Sequence, residues 1–265
     1  MVVISPFIAP VLGALLLKFL SWRGIFAALA IIGAVAFLGS IALRETILIP
    51  NTGSIFKTIS RLGVVLKNPG FFSLLGVFSL MAIPGLAYVS SSSFIYQAGF
   101  KLSSQVYSYF YAFNAMGMFI GPLVYIWLSK RFKYQQIINV DFIVIIISGL
   151  LTCVFGVYSP WMFAIVLLPG TIAGCGMGPP STNLMLEQQK GDTGSASSLM
   201  SAAFTIMGSF GMIIASFNWG SLLVMVGMLN VIIGLLGGSL WLFIRHKPFI
   251  RPVNVSQTES AGGIM

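Results

Sequence analysis

The few side chains in this sequence able to hold or move another molecule recur at helical spacing inside apolar runs. Tyr107, Tyr111, Asn114, Met118, Gly121 and Tyr125 stand three and four residues apart, which places them on one stripe of a helix. Aromatic faces, an amide and a thioether give loose, adaptable contact to a lipophilic, polarizable molecule, with a few polar groups fixing its orientation. Ordinary helix packing competes, with Tyr107 and Tyr125 as interface anchors. An Asn in the middle of such a run belongs against protein or a cavity rather than lipid, which turns Tyr111 and Asn114 inward. A second stripe, Phe78, Met81, Gly85, Tyr88 and Ser92, is interrupted by Pro84–Gly85. Backbone groups freed there permit a kink, either mobile and cavity-lining or static and filled by a neighbour. Met81, Tyr88, Tyr111, Asn114 and Met118 are therefore the candidate substrate contacts, and Pro84 and Gly85 the candidate gate.

Asp141 is the only carboxylate well inside an apolar run. Placing an acid there costs roughly 2.5–3.5 kcal/mol on insertion scales, so it requires a reason. Proton coupling is one. The other is position: Asp141 lies about 10 Å past Tyr134 at 1.5 Å per residue, within reach of hydration or of pairing with Arg131 or Lys133. Pro169, Gly170, Gly174, Gly176, Gly178, Pro179 and Pro180 crowd another run, as in a bent helix lining a pathway or one packed closely through small residues. Ser201, Thr205, Gly208, Ser209 and Met212 read as a packing seam. Lys130 and Arg131 occupy a very short basic turn, a gate latch or a plain topology anchor. Cys153 and Cys175 fall inside apolar runs and read as small apolar residues, and His246 belongs to the basic cluster Arg245–His246–Lys247. No phosphate-cradling loop, HExxH or metal-ligand cluster occurs in the sequence, so neither an ATP-driven pump nor a cofactor site is encoded in recognisable form.

These groups must be positioned by elements suited to lipid. Of 265 residues, 57% are hydrophobic and 7% charged, with mean hydropathy +0.99. A water-soluble fold uses roughly 25% charged residues. Disorder, nucleic-acid binding and a secreted disulfide scaffold are excluded by the same composition, despite a net charge of +9. Eight runs approach the roughly 20 residues that cross a bilayer as a helix. They are Val2–Leu17, Ile25–Leu43, Phe71–Ser91, Ser104–Leu128, Ile137–Val157, Trp161–Leu186, Ser195–Ser216 and Ser221–Ile244. Their continuity and length exclude a β-barrel, whose strands alternate over about ten residues. If the N-terminus is cytoplasmic, all Lys and Arg except Lys18, Arg23 and Lys101 fall on the inside. That bias orients both termini toward the cytoplasm.

The longest connection runs from Arg44 to Gly70. Ile55, Ile59, Leu62 and Leu66 recur within it at helical spacing, with Lys57 and Arg61 elsewhere on the wheel, as in an amphipathic helix on an anionic leaflet. Asn68, Pro69 and Gly70 end it. The expected organisation is two helices over 1–43, a linker over 44–70, six helices over 71–244, and a polar, disordered tail over 245–265. No basic flank precedes Val2, so the first run is not a signal peptide, and a chain that starts inside its first helix reads as truncated.

The opening run, Ser5-Pro6-Phe7-Ile8-Ala9-Pro10-Val11-Leu12-Gly13-Ala14, resembles the fifth-helix antiporter motif of the major facilitator superfamily, with Pro6, Pro10 and Gly13 carrying the pattern. Ala9 replaces a usual Gly. Trp22-Arg23-Gly24-Ile25-Phe26, Arg44-Glu45-Thr46 and Ser93-Phe94-Ile95-Tyr96 extend the likeness to the Bcr/CflA-type drug-resistance transporters. The resemblance implies an all-α membrane bundle, the eight runs being helices five to twelve of a twelve-helix fold. It further implies a proton-coupled efflux antiporter whose partners are a small lipophilic substrate (a cation among the candidates), the proton and the bilayer, working in the cell inner membrane by alternating access. By the same resemblance the helix carrying Asp141 lies on the outer side of its half, and the usual proton-coupling acids lie in a first helix upstream of Met1. The alternative is a truncated, non-transporting membrane remnant or interaction protein. Oligomeric state stays open.

Overall fold

The computed structural model describes Gly13, Leu16 and residues 20–42, 62–189 and 193–251. Pro6, Pro10, most of the first apolar run, most of the amphipathic segment and the polar tail lie outside the described residues. Among those described, seven helices are long and apolar enough to cross a membrane, and there is no strand. The chain is an all-α membrane protein. In chain order the helices are α1 (Trp22–Ala42), α2 (Pro69–Ser79), α3 (Ala82–Ser93), α4 (Ser104–Ser129), α5 (Tyr134–Phe155), α6 (Pro160–Gly176), α7 (Gly178–Glu187), α8 (Thr193–Ser216) and α9 (Leu222–Ile244). A π-helical turn, Phe94–Gly99, extends α3. The pairs α2–α3 and α6–α7 each form one broken span.

Local chemistry sets the boundaries. Asn68, Pro69 and Gly70 start a helix as much as they end one. The Asn68 side chain accepts from Gly70 N at 3.0 Å and Phe71 N at 3.3 Å. Pro69 takes the first helical position, where a missing N–H costs nothing. Ser103, Ser159 and Ser221 cap α4, α6 and α9 in the same way. The break near Pro84 falls one turn earlier than the Pro–Gly pair itself. Pro84 has no N–H for the Leu80 carbonyl, which takes a tighter bond from Ile83 N at 3.0 Å, and the chain turns at Leu80–Met81. Pro179 and Pro180 likewise leave Cys175 and Gly176 without their helical donors, and the fold breaks at Met177 between α6 and α7.

Helices α2 to α9 form one bundle. α9 packs along α5, α5 along α6, α6 along α4, and α8 along α3. The α4–α6 crossing depends on Gly121: a Cβ there would meet Ile172 O, and Gly176 N at 2.8 Å. The α8–α3 seam runs through Gly208 and Gly211, which abut Leu86 and the Ile83 carbonyl. The other residues of the seam expected on α8, Ser201, Thr205, Ser209 and Met212, are exposed among the described residues. Thr205 and Ser209 bond back to the carbonyls of Ser201 and Thr205 at 2.8 Å, so they need no neighbour.

Two hydrophobic cores fill the bundle. One gathers Phe71, Phe78, Ile138, Met185 and Trp241, and the other Tyr88, Tyr96, Phe110, Phe163 and Val226. Gln188 ties the first end together. Its Oε1 accepts from Arg251 N at 2.9 Å, its Nε2 donates to Arg251 O at 3.0 Å, and its carbonyl accepts from Asn68 Nδ2 at 2.7 Å. The described part of the amphipathic segment, 62–66, docks here through Val65, 2% exposed, whose carbonyl accepts from Gln189 Nε2 at 3.0 Å. Leu66, on the apolar stripe expected to lie against the leaflet, is exposed. The antiparallel packing brings Lys67, Lys130, Arg131, Lys133, Arg245, Lys247 and Arg251 to this one end, and Lys101 to the other. α1 buries none of its span against the rest of the described residues.

Candidate functional site

A cavity of about 270 Å³ lies between the two cores. Met81 marks its level, since it packs against both. Its walls are the two broken spans with contributions from α4, α5, α8 and α9: Met81, Pro84, Gly85, Tyr88, Met118, Ile145, Gly170, Thr171, Gly174, Cys175, Phe204 and Asn230. Two of its walls thus stand at the points where proline interrupts the helix. Pro122 adds a third irregularity, for it withholds an N–H from the Met118 carbonyl within α4. A Cβ on Gly85 or Gly174 would meet nothing within 4 Å, so these glycines open the walls.

Met81, Tyr88 and Met118 of the five expected contacts line the cavity; Tyr111 and Asn114 do not. Tyr111 stands behind Tyr88, the rings stacked at 6.1 Å and 5°. Asn114 is fully buried, donates to Phe110 O at 3.5 Å, and its Oδ1 has no partner. Both were expected to face a cavity because a mid-membrane Asn should not face lipid, and burial against protein meets that requirement without a cavity. Gly121 serves the α4–α6 crossing instead.

Aromatic rings close the side away from the basic end. Tyr88 lies 6.3 Å from Phe163, and Tyr96 lies 5.1 Å from Phe110 and 5.5 Å from Phe163. Tyr107 joins them through a 3.1 Å hydrogen bond with Ser92. Such a packed cluster is a wall with substantial apolar burial.

Asn230 and Cys175 were not singled out as contacts. Asn230 donates to Val226 O at 3.0 Å, and its Oδ1, which makes no hydrogen bond, is an acceptor at the cavity. An amide in the middle of a 23-residue apolar helix was the signal that pointed to it. Among the described residues, no charged side chain lines the cavity. Thioether, aromatic ring and a single amide are chemistry for non-covalent holding of an apolar or soft cationic molecule.

Asp141 is half-buried on α5, one helical turn toward the basic end from Ile145 of the cavity wall, and its Oδ2 is buried without a partner. The pairing with Arg131 or Lys133 weighed from the sequence does not form: Asp141 has no ion pair among the described residues, and Arg131 lies over the Trp127 ring at 5.9 Å. Lys130 and Arg131 are exposed at the turn between α4 and α5. Gly13 has nothing within 4 Å of a Cβ.

The sequence matches the profile of the Major Facilitator Superfamily over residues 1–212. It is also 26% identical over 216 residues to the uncharacterized MFS-type transporter YdgK of Bacillus subtilis (strain 168), a match covering 78% of this chain and 53% of that protein. The chain spans about half the length of the curated relative it matches. With a profile match over most of its length and a bundle of membrane-length helices around a mid-span cavity, this chain belongs to the Major Facilitator Superfamily.

Proposed function

We propose that the chain works in a secondary active transporter that exports a small lipophilic molecule, cations included, in exchange for protons moving down their gradient. The observation that carries this reading is the uncharged, thioether- and aromatic-lined cavity flanked by two proline-broken spans. Broken helices around a midplane site are the architecture that alternating access uses. Met81, Tyr88, Met118 and Asn230 hold the substrate, and the breaks at Leu80–Met81 and Met177 let the basic ends of α2 and α7 move relative to α3 and α6. Asp141 is the proton-coupling group, supported by its unpartnered Oδ2 one turn from the cavity wall. Both termini face the cytoplasm of the inner membrane, supported by the cluster of basic residues at one end of the bundle. Residues 71–244 form a six-helix half. Residues 1–43 belong to a second half, supported by the unburied flank of α1.

The test is uptake of a fluorescent cationic dye by proteoliposomes holding the chain, with and without an imposed proton gradient, beside a version extended upstream by the preceding coding sequence. Gradient-dependent flux in either preparation supports the reading. Its absence from both overturns it.

A further inference from the structure

A second concavity, about 380 Å³, lies away from the substrate cavity, between α5 and α9. Arg245 and Gly234 both line it, eleven positions apart on α9, so it runs about 16 Å along the helix. That is the depth of one leaflet, half of a hydrocarbon core about 30 Å thick. Its inner length is apolar, lined by Ile143, Ile146 and Leu235. Its mouth, at the basic end of the bundle, is polar.

The polar groups at that mouth are donors that lack acceptors. Asn139 Oδ1 accepts from Trp241 Nε1 at 2.9 Å, which leaves its Nδ2 without a hydrogen bond among the described residues. The Ser239 hydroxyl also lines the groove and has no partner among the described residues. Among the described residues Arg245, half-buried, has no ion pair, and its Nε is buried without a partner. Among the described residues, no acidic side chain lines the groove. A guanidinium partly removed from water and unmatched is costly, and its fork fits a phosphodiester well.

We infer that this groove is a binding site for an anionic glycerophospholipid of the leaflet at the basic end. The phosphate sits on Arg245, the ester oxygens accept from Asn139 Nδ2 and Ser239, and one acyl chain follows Ile143, Ile146 and Leu235. Basic pockets between membrane helices take anionic headgroups for this reason. Lys247 has a different role, since its Nζ lies over the Phe243 ring at 4.3 Å, outside the groove.

The experiment is native mass spectrometry of the full chain released from bilayers of equal phosphatidylglycerol and phosphatidylcholine, counting lipid retained as detergent is stripped. The expected result is preferential retention of phosphatidylglycerol. R245Q lowers that retention about fivefold, R245K lowers it less, and K247Q leaves it unchanged. Equal retention of the two lipids overturns the inference, as does an unchanged R245Q. Equal losses in R245Q and K247Q overturn it too, by showing diffuse attraction to the headgroup layer. Displacement of the lipid by excess inorganic phosphate overturns it by making the anion alone the ligand. None of these readings depends on transport.

Discussion

Substituting Gly121 by Ala tests the packing that holds the cavity open. A Cβ at this position would meet the Ile172 carbonyl, Gly176 N at 2.8 Å and Cys175 Cβ at 3.1 Å. The first two are backbone of α6, which cannot rotate away as a side-chain tip can, so α4 and α6 must separate. Overpacking of this kind costs about 1–3 kcal/mol. Gly85 is the matched control, also helical, where the same methyl meets nothing within 4 Å. There the change removes only backbone freedom and gains about 0.5–1 kcal/mol. Gly121 is helical too, so that gain is common to both, and the two variants should differ by the overpacking alone, about 1–3 kcal/mol, or about 2–12 °C in melting temperature for a chain of this size. Thermal unfolding in detergent, followed by tryptophan fluorescence, reads the difference directly, because Trp161 contacts Phe110 and Phe113 of α4. G121A melting at or above G85A would refute the close crossing and the cavity geometry that depends on it.

Three further outcomes are expected. Trp241→Phe should lower stability by about 0.5–1.5 kcal/mol through loss of the bond to Asn139. Trp241→Ala should cost about 3–5 kcal/mol because the ring is 1% exposed, with both changes measured by thermal unfolding. Gln188→Ala removes both bonds to Arg251, so limited chymotryptic cleavage after the exposed Phe249 should accelerate, and a wild-type cleavage rate would contradict the tether. Asp141→Asn should abolish gradient-driven dye flux in proteoliposomes while leaving dye binding in place; unchanged flux would remove Asp141 from coupling.

Much of this fold was readable from hydropathy because lipid imposes so simple a requirement: a helix long enough, and apolar enough, to satisfy its own backbone. Ser104–Ser129 and Leu222–Ile244 lie within two residues of the runs read from the sequence. Spacing gave less about rotation. On α8, Ser201, Thr205 and Ser209 look like a seam, but each hydroxyl can satisfy itself on the preceding turn, so the stripe carries no information about a neighbour. Gly211, whose missing Cβ admits the Ile83 carbonyl, carries that information, and only the structure reveals the approach. Proline was legible as a breaker but not as to place: the ring acts on the carbonyl four residues back, so Pro84 moves the turn to Leu80–Met81. The cavity was half legible for the same reason. Met81, Tyr88 and Met118 face it, whereas Tyr111 and Asn114 share their stripes and stand behind the wall. Asn230 and Cys175 come from helices whose other residues gave no polar periodicity to follow.

Cys175 offers the most direct measurement of the proposed substrate site, since it lines the cavity, while Cys153 lies against α9 with its Sγ 3.6 Å from Val224 O. In proteoliposomes of the otherwise native chain, a membrane-permeant maleimide should label Cys175 in the Cys153→Ser variant at a rate that a lipophilic cation such as tetraphenylphosphonium slows in proportion to its occupancy. Labelling of Cys153 in the Cys175→Ser variant should be indifferent to the cation. Protection of Cys175 alone is the predicted result, and equal or absent protection at both cysteines would contradict a substrate site between the two cores.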